Sequence, residues 1–187
     1  VWTGEHMVVW GGWSSGTATN TGGIYMPATN TWVTTGTASP CPAGREKHSA
    51  VWTGQEMLVW GGGLPAATNT GGRFNPVTNL WTAMAASAGF VSARTEHTAV
   101  WTGERMIVWG GRSGPVTNTG GCYDPVNDAW STTSVTGVPT ARTGHTAIWT
   151  DDEMIIWGGT YGNTGGRYNP RTNSWVSMIP SAAVPSV

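Results

Sequence analysis

The chain has 187 residues and a formal charge of −1, and only 10% of its residues are charged, against roughly 25% in an average soluble domain. That balance excludes the basic footprint of a nucleic-acid binder, and the absence of any apolar run near the roughly 18 residues of a membrane helix excludes a helical membrane span. Three leucines and one lysine against 29 threonines, 28 glycines and 13 tryptophans exclude a helix-rich domain, since Leu and Lys favour helices and Thr and Trp suit pleated strands.

The tryptophans fall on a ruler. Trp2, Trp52, Trp101 and Trp149 lie 50, 49 and 48 residues apart, and Trp10, Trp60, Trp109 and Trp157 keep the same spacings. Trp32, Trp81, Trp130 and Trp175 follow at 49, 49 and 45, so only Trp13 is left over. Two sets of Gly-Gly pairs share the period, beginning Gly11-Gly12 and Gly22-Gly23. A fixed period of this length signals a repeat architecture.

The chain opens on Val1-Trp2-Thr3, which matches Val51-Trp52-Thr53 without the stretch that precedes those residues in later repeats. The third repeat shows a complete unit. Its first strand is expected at His97–Trp101, followed by a hairpin turn at Thr102-Gly103-Glu104, where the glycine suits a positive φ. The second strand, Met106–Trp109, is apolar throughout, as for a strand covered on both faces. A polar loop leads to a third strand around Gly120 to Tyr123. Asp124-Pro125-Val126-Asn127 forms a turn, and the fourth strand carries Trp130. Four strands in about 49 residues make one blade of a propeller. The fold class is therefore all-β, with four four-stranded antiparallel blades at about 1–37, 45–86, 94–135 and 142–180 in one region spanning 1–187.

The residues that carry a family resemblance are now in place. They are the double glycine after the second strand, then an aromatic followed by Trp seven residues later: Tyr25 and Trp32, Phe74 and Trp81, Tyr123 and Trp130, Tyr168 and Trp175. Pro27, Pro76, Pro125 and Pro170 stand two residues after each aromatic, and Arg45, Arg94 and Arg142 precede the first strands. This pattern resembles the kelch-repeat β-propellers over nearly the whole chain, and "HTAVWTGERMIVWGG" is similar to repeats in bacterial galactose-oxidase-like central domains. The resemblance implies six or seven blades, against four here. The preferred expectation is a piece of a longer propeller or of a repeat array only partly present; a four-bladed ring and a ring closed between two chains are the alternatives.

The candidate chemistry is thin. His48, His97 and His145 recur three residues after the arginines, which points to blade geometry rather than catalysis. His6 falls in a strand-connecting turn. Galactose oxidase uses a copper site of Tyr and His ligands that no His pair outside the repeat supplies here, so no cofactor and no metal are expected. Asp151-Asp152-Glu153 reads as a solvated turn. Cys41 and Cys122 are two repeats apart in phase, too far for a disulfide to be expected.

Interaction surfaces are the stronger expectation. Trp13 aligns with Gly63, Arg112 and Thr160 and is not required by the repeat. Leu64, Pro65, Phe90 and Tyr161 are likewise unrepeated apolar residues on predicted loops. Exposed aromatics often mark recognition surfaces, and loops on a rigid frame carry function. Arg45, Arg94 and Arg142 are expected near the channel mouth, where the resemblance implies acidic partners; the alternative is satisfaction of buried carbonyls. The candidate binding set is Trp13, Leu64, Phe90, Arg112, Tyr161, Arg45, Arg94 and Arg142. The expected function is a non-catalytic binding or scaffold module for a protein partner, on a secreted or cell-surface protein. A carbohydrate-binding propeller with stacking aromatics, a self-assembling structural subunit and a galactose-oxidase-like enzyme fragment are the alternatives. A homo-oligomer or further blades would complete the ring.

Overall fold

The computed structural model describes residues 1–63, 66–160 and 162–178. They contain 17 strands and no helix. Strands β1 (Met7–Trp10), β4 (Gly22–Met26) and β5 (Thr31–Thr34) form the first sheet. Between β1 and β4 lies a separate hairpin, β2 (Trp13–Ser14) with β3 (Thr17–Ala18). The second sheet is β6 (Ser49–Trp52), β7 (Met57–Trp60), β8 (Gly71–Asn75) and β9 (Leu80–Ala83). The third is β10 (Thr98–Trp101), β11 (Met106–Trp109), β12 (Gly120–Asp124) and β13 (Ala129–Thr132). The fourth is β14 (Thr146–Trp149), β15 (Met154–Trp157), β16 (Gly165–Asn169) and β17 (Ser174–Met178).

Three sheets are thus four-stranded and antiparallel, in sequential order, as the repeat predicts. The first differs. Its innermost segment is a bridge, Trp2 opposite Met7, held by backbone hydrogen bonds between Val1 and Val8 in both directions. No strand of the first sheet pairs with a strand of the fourth among the described residues.

The sheets stack face to face because their second strands are apolar on both sides. In β7, Met57 and Val59 join the core shared with the first sheet, while Leu58 and Trp60 join the core shared with the third. In β11, Met106 and Val108 face the second sheet, while Ile107 and Trp109 face the fourth. This is the period-two alternation of a strand, and it explains why both parities are apolar. Full burial of such side chains contributes roughly 1.5–3 kcal/mol each.

Register places the glycines where bulk approaches. Gly72 lies opposite Val59 and Phe74 opposite Trp81. A Cβ on Gly72 would meet Pro42 Cγ at 2.6 Å, and one on Gly121 would run into Val91 Cγ2. The linker from the preceding sheet therefore lies against these bare positions.

Candidate interaction surfaces

Antiparallel sheets put their connections at two ends. The loops between second and third strands and the inter-sheet linkers lie at one, the loop end. The tight turns lie at the other, the turn end.

At the loop end, each repeated arginine binds its own blade. Arg94 donates from Nη1 to the carbonyls of Gly110 (2.9 Å) and Thr119 (2.7 Å) and from Nε to that of Ser92 (3.1 Å). Its Nη2 donates to the hydroxyls of Ser92 and Thr119, so all five donors of the guanidinium fork are occupied. Arg45 and Arg142 repeat the pattern on Gly61 and Thr70 and on Gly158 and Thr164. All three are buried, and none forms an ion pair among the described residues. The geometry is that of carbonyl satisfaction rather than a receptor for acidic groups. Burial lowers Arg94 to about 10, still charged at neutral pH. Thr70, Thr119 and Thr164 complete these forks and were not singled out from the sequence; their signal was a Thr immediately before each second Gly-Gly pair.

The histidines tie sheets together. His97 packs edge-on against Trp60 with ring centroids 5.0 Å apart, and His145 does the same on Trp109 at 5.1 Å. His97 Nε2 lies 2.7 Å from Ser49 Oγ, and His145 Nε2 lies 2.8 Å from Thr98 Oγ1. Burial, reinforced by the neighbouring arginine, pushes His97 down to about 3 and His145 to about 4. These are neutral, structural side chains.

The acidic turn forms ion pairs of its own. Asp152 meets Arg171 at 3.5 Å and Glu153 meets Arg167 at 3.2 Å, so the acidic turn diverges. His6 lies in the first-sheet turn, where its backbone N–H donates to Thr3 Oγ1. Both cysteines are free thiols, and Cys122 lies beside the Tyr168 hydroxyl. Among the described residues no three His, Cys, Asp or Glu side chains gather as a metal site.

The unrepeated residues are placed differently. Trp13 is 52% exposed on β2. Its hairpin turns through Ser15 (φ 49°) and Gly16 (φ 84°), a two-residue loop with both φ values positive, as a type I′ turn requires. Ser15-Gly16 between two strand-forming pairs was the signal for this hairpin. Phe90 is half exposed on the linker between the second and third sheets. Arg112 meets Glu96 Oε2 at 3.4 Å, and Glu96 Oε1 accepts from Lys47 Nζ at 3.0 Å. The Lys47 hydrogen bond, with Arg112 assisting, holds the Glu96 carboxyl below its ordinary range. Lys47 and Arg112, with Glu46, border a shallow groove of about 300 Å³ that also touches Gly63 and Gly114. Trp13 and Phe90 therefore stand on separate segments, while Arg112 joins an ion chain across two sheets. Leu64, Pro65 and Tyr161 lie outside the described residues.

The turn end carries larger grooves. One, about 1000 Å³, runs between the second and third sheets and is lined by Gln55, Glu56, Arg73, Trp101, Glu104 and Asp124 among others. Trp149 and Trp52 line the corresponding grooves at the two flanking junctions. Sequence reasoning assigned these tryptophans to packing alone. The available signal was their position at a strand end, immediately before Thr-Gly for Trp52 and Trp101 and before Thr150-Asp151 for Trp149.

Two comparisons bear on this arrangement. Residues 47–186 match the family model "KLHDC2/KLHL20/DRC7 Kelch-repeats domain". A search of curated proteins returns no match. Kelch-repeat domains are generally protein-interaction modules.

Proposed function

The chain belongs to the kelch-repeat family, and from that premise we propose that it is a non-catalytic binding module whose loop end receives a peptide segment of a protein partner. One observation carries the reading. Trp13 stands half exposed on a hairpin that belongs to no blade, and a rigid aromatic with one free face is a favourable anchor for an apolar side chain. The Lys47–Glu96–Arg112 chain supplies polar contacts at the same end, and Phe90 supplies a second aromatic. The buried arginines hold the loops in place and do not touch the partner.

Panning a random peptide library on the purified chain tests this. Selected peptides lose at least about tenfold affinity on Trp13→Ala, as for truncation of an aromatic anchor, and keep it on Glu104→Ala at the turn end. Peptides that ignore Trp13, Phe90 and Arg112 but depend on Glu104 contradict the proposal.

A second reading rests on the turn-end grooves. Trp101 flanked by Gln55, Glu104 and Asn127 offers an aromatic platform with hydrogen-bonding groups, which suits a neutral oligosaccharide. Calorimetry with an oligosaccharide panel on wild type and Trp101→Ala decides it: heat lost in the variant supports the reading, and heat absent from wild type ends it.

A further inference from the structure

The three turn-end grooves are contiguous. Gly54 and Gln55, in the turn between β6 and β7, line both the groove of about 490 Å³ between the first and second sheets and the central one between the second and third. Gly103, Glu104 and Arg105, in the turn between β10 and β11, line both the central groove and the next, of about 680 Å³, between the third and fourth sheets. A single turn thus makes each shared wall. The walls are low at their glycines. Gly54 (φ +99°) and Gly103 (φ +97°) have no described atom within 4 Å of where a Cβ would stand. The positive φ of these turns favours glycine, so the walls carry no bulk at that point and a chain can pass from one groove to the next.

Each groove has the same floor. Trp52, Trp101 and Trp149 end the first strands β6, β10 and β14. Each packs against the core of its own junction and stays partly exposed toward the groove. The floors follow one another at the blade repeat, since β10 approaches both β6 and β14 within 8 Å between Cα atoms. Hydrogen-bonding groups stand on the shared walls. Gln55 and Glu104 are exposed, and among the described residues no hydrogen bond or ion pair occupies either side chain. The charges along the row are of both signs. Arg73 pairs with Glu56 at 2.8 Å and donates across the junction to the Pro125 carbonyl at 2.8 Å, which ties the two walls of the central groove together. Arg105 lines the same two grooves as Glu104. No strip of one sign runs through the row to select a polyanion or a polycation.

We propose that this row binds one linear, uncharged oligosaccharide along its length, with Trp52, Trp101 and Trp149 as successive stacking platforms. The inference rests on the oligosaccharide reading of the Trp101 groove and adds that this groove is the middle one of three joined subsites. The aromatic faces take the C–H faces of sugar rings. Between the platforms the Glu104 carboxylate accepts from hydroxyls, and the Gln55 amide both donates and accepts. A repeating polymer suits a repeating row. Once one part of the chain sits in the central groove, the neighbouring grooves meet the rest of it at high effective concentration, so affinity grows with chain length although every contact is of the same kind.

Calorimetry with the malto-, cello-, xylo- and manno-oligosaccharides, from disaccharide to hexasaccharide, tests this. In the series that binds, affinity rises at least about tenfold with length. Trp52→Ala and Trp149→Ala each lower the affinity for the hexasaccharide and leave that for the disaccharide nearly unchanged, while Trp101→Ala cuts the row at its centre and removes the gain with length. Because each Trp also packs on a core, hydroxyl-radical footprinting of the wild-type chain reads the same arrangement without substitution: the hexasaccharide protects Trp52, Trp101 and Trp149 together. Affinity independent of length, or protection confined to Trp101, overturns the inference and leaves the single-groove reading standing. No heat from any of the four series, or heat from oligolysine or a proline-rich peptide in their place, overturns both.

Discussion

At the scale of single residues, the repeated polar side chains hold the frame. Arg94 is a buried cation with five hydrogen bonds and no counter-ion among the described residues. Removing one partner of such a set strands the others, at about 1–3 kcal/mol for each buried group. Arg94→Ala therefore lowers unfolding free energy by at least about 3 kcal/mol in urea titration. Arg94→Lys does not rescue it, because an ammonium cannot reproduce the planar fork. The histidines impose a pH dependence. His97 and His145 are depressed to about 3 and about 4 from an unfolded value near 6.5. Between those limits the unfolded chain binds more protons than the folded one, so stability rises with pH there. Their contribution is complete above about pH 6.5 and is lost as pH falls toward 4. His97 alone accounts for on the order of 3 kcal/mol by pH 4. His97→Phe flattens the midpoint-versus-pH curve over that window.

Elements show why a motif repeats. Gly11, Gly61 and Gly110 each lie against the histidine ring of the next blade: a Cβ on Gly61 would meet His97 Cε1 at 2.6 Å, at φ +69°. Gly103, at φ +97°, has nothing within 4 Å of such a Cβ. Gly61→Ala thus adds a clash to a backbone penalty of about 1–2 kcal/mol, whereas Gly103→Ala carries the backbone penalty alone. Denaturation midpoints should rank Gly61→Ala well below Gly103→Ala. Strands β6 to β17 were legible from Trp and Gly spacing because each blade must bury both faces of its second strand, and that requirement leaves a periodic trace. The β2–β3 hairpin leaves none, since it occurs once. The Lys47–Glu96–Arg112 chain was also invisible, because its members come from different repeats and meet only after the sheets stack. Arg112 was singled out as unrepeated, but its partners were not.

For the whole molecule, these placements divide labour between a frame that repeats and a few side chains that do not. The tryptophans of the second and fourth strands close the internal junctions. The proposed recognition at the loop end would then use residues whose removal leaves the frame untouched. Trp13 is the sharpest case. The most direct test measures unfolding midpoint and affinity for a loop-end peptide on the same Trp13→Ala protein. The account predicts an unchanged midpoint with affinity reduced at least about tenfold. A lowered midpoint with unchanged affinity would contradict it.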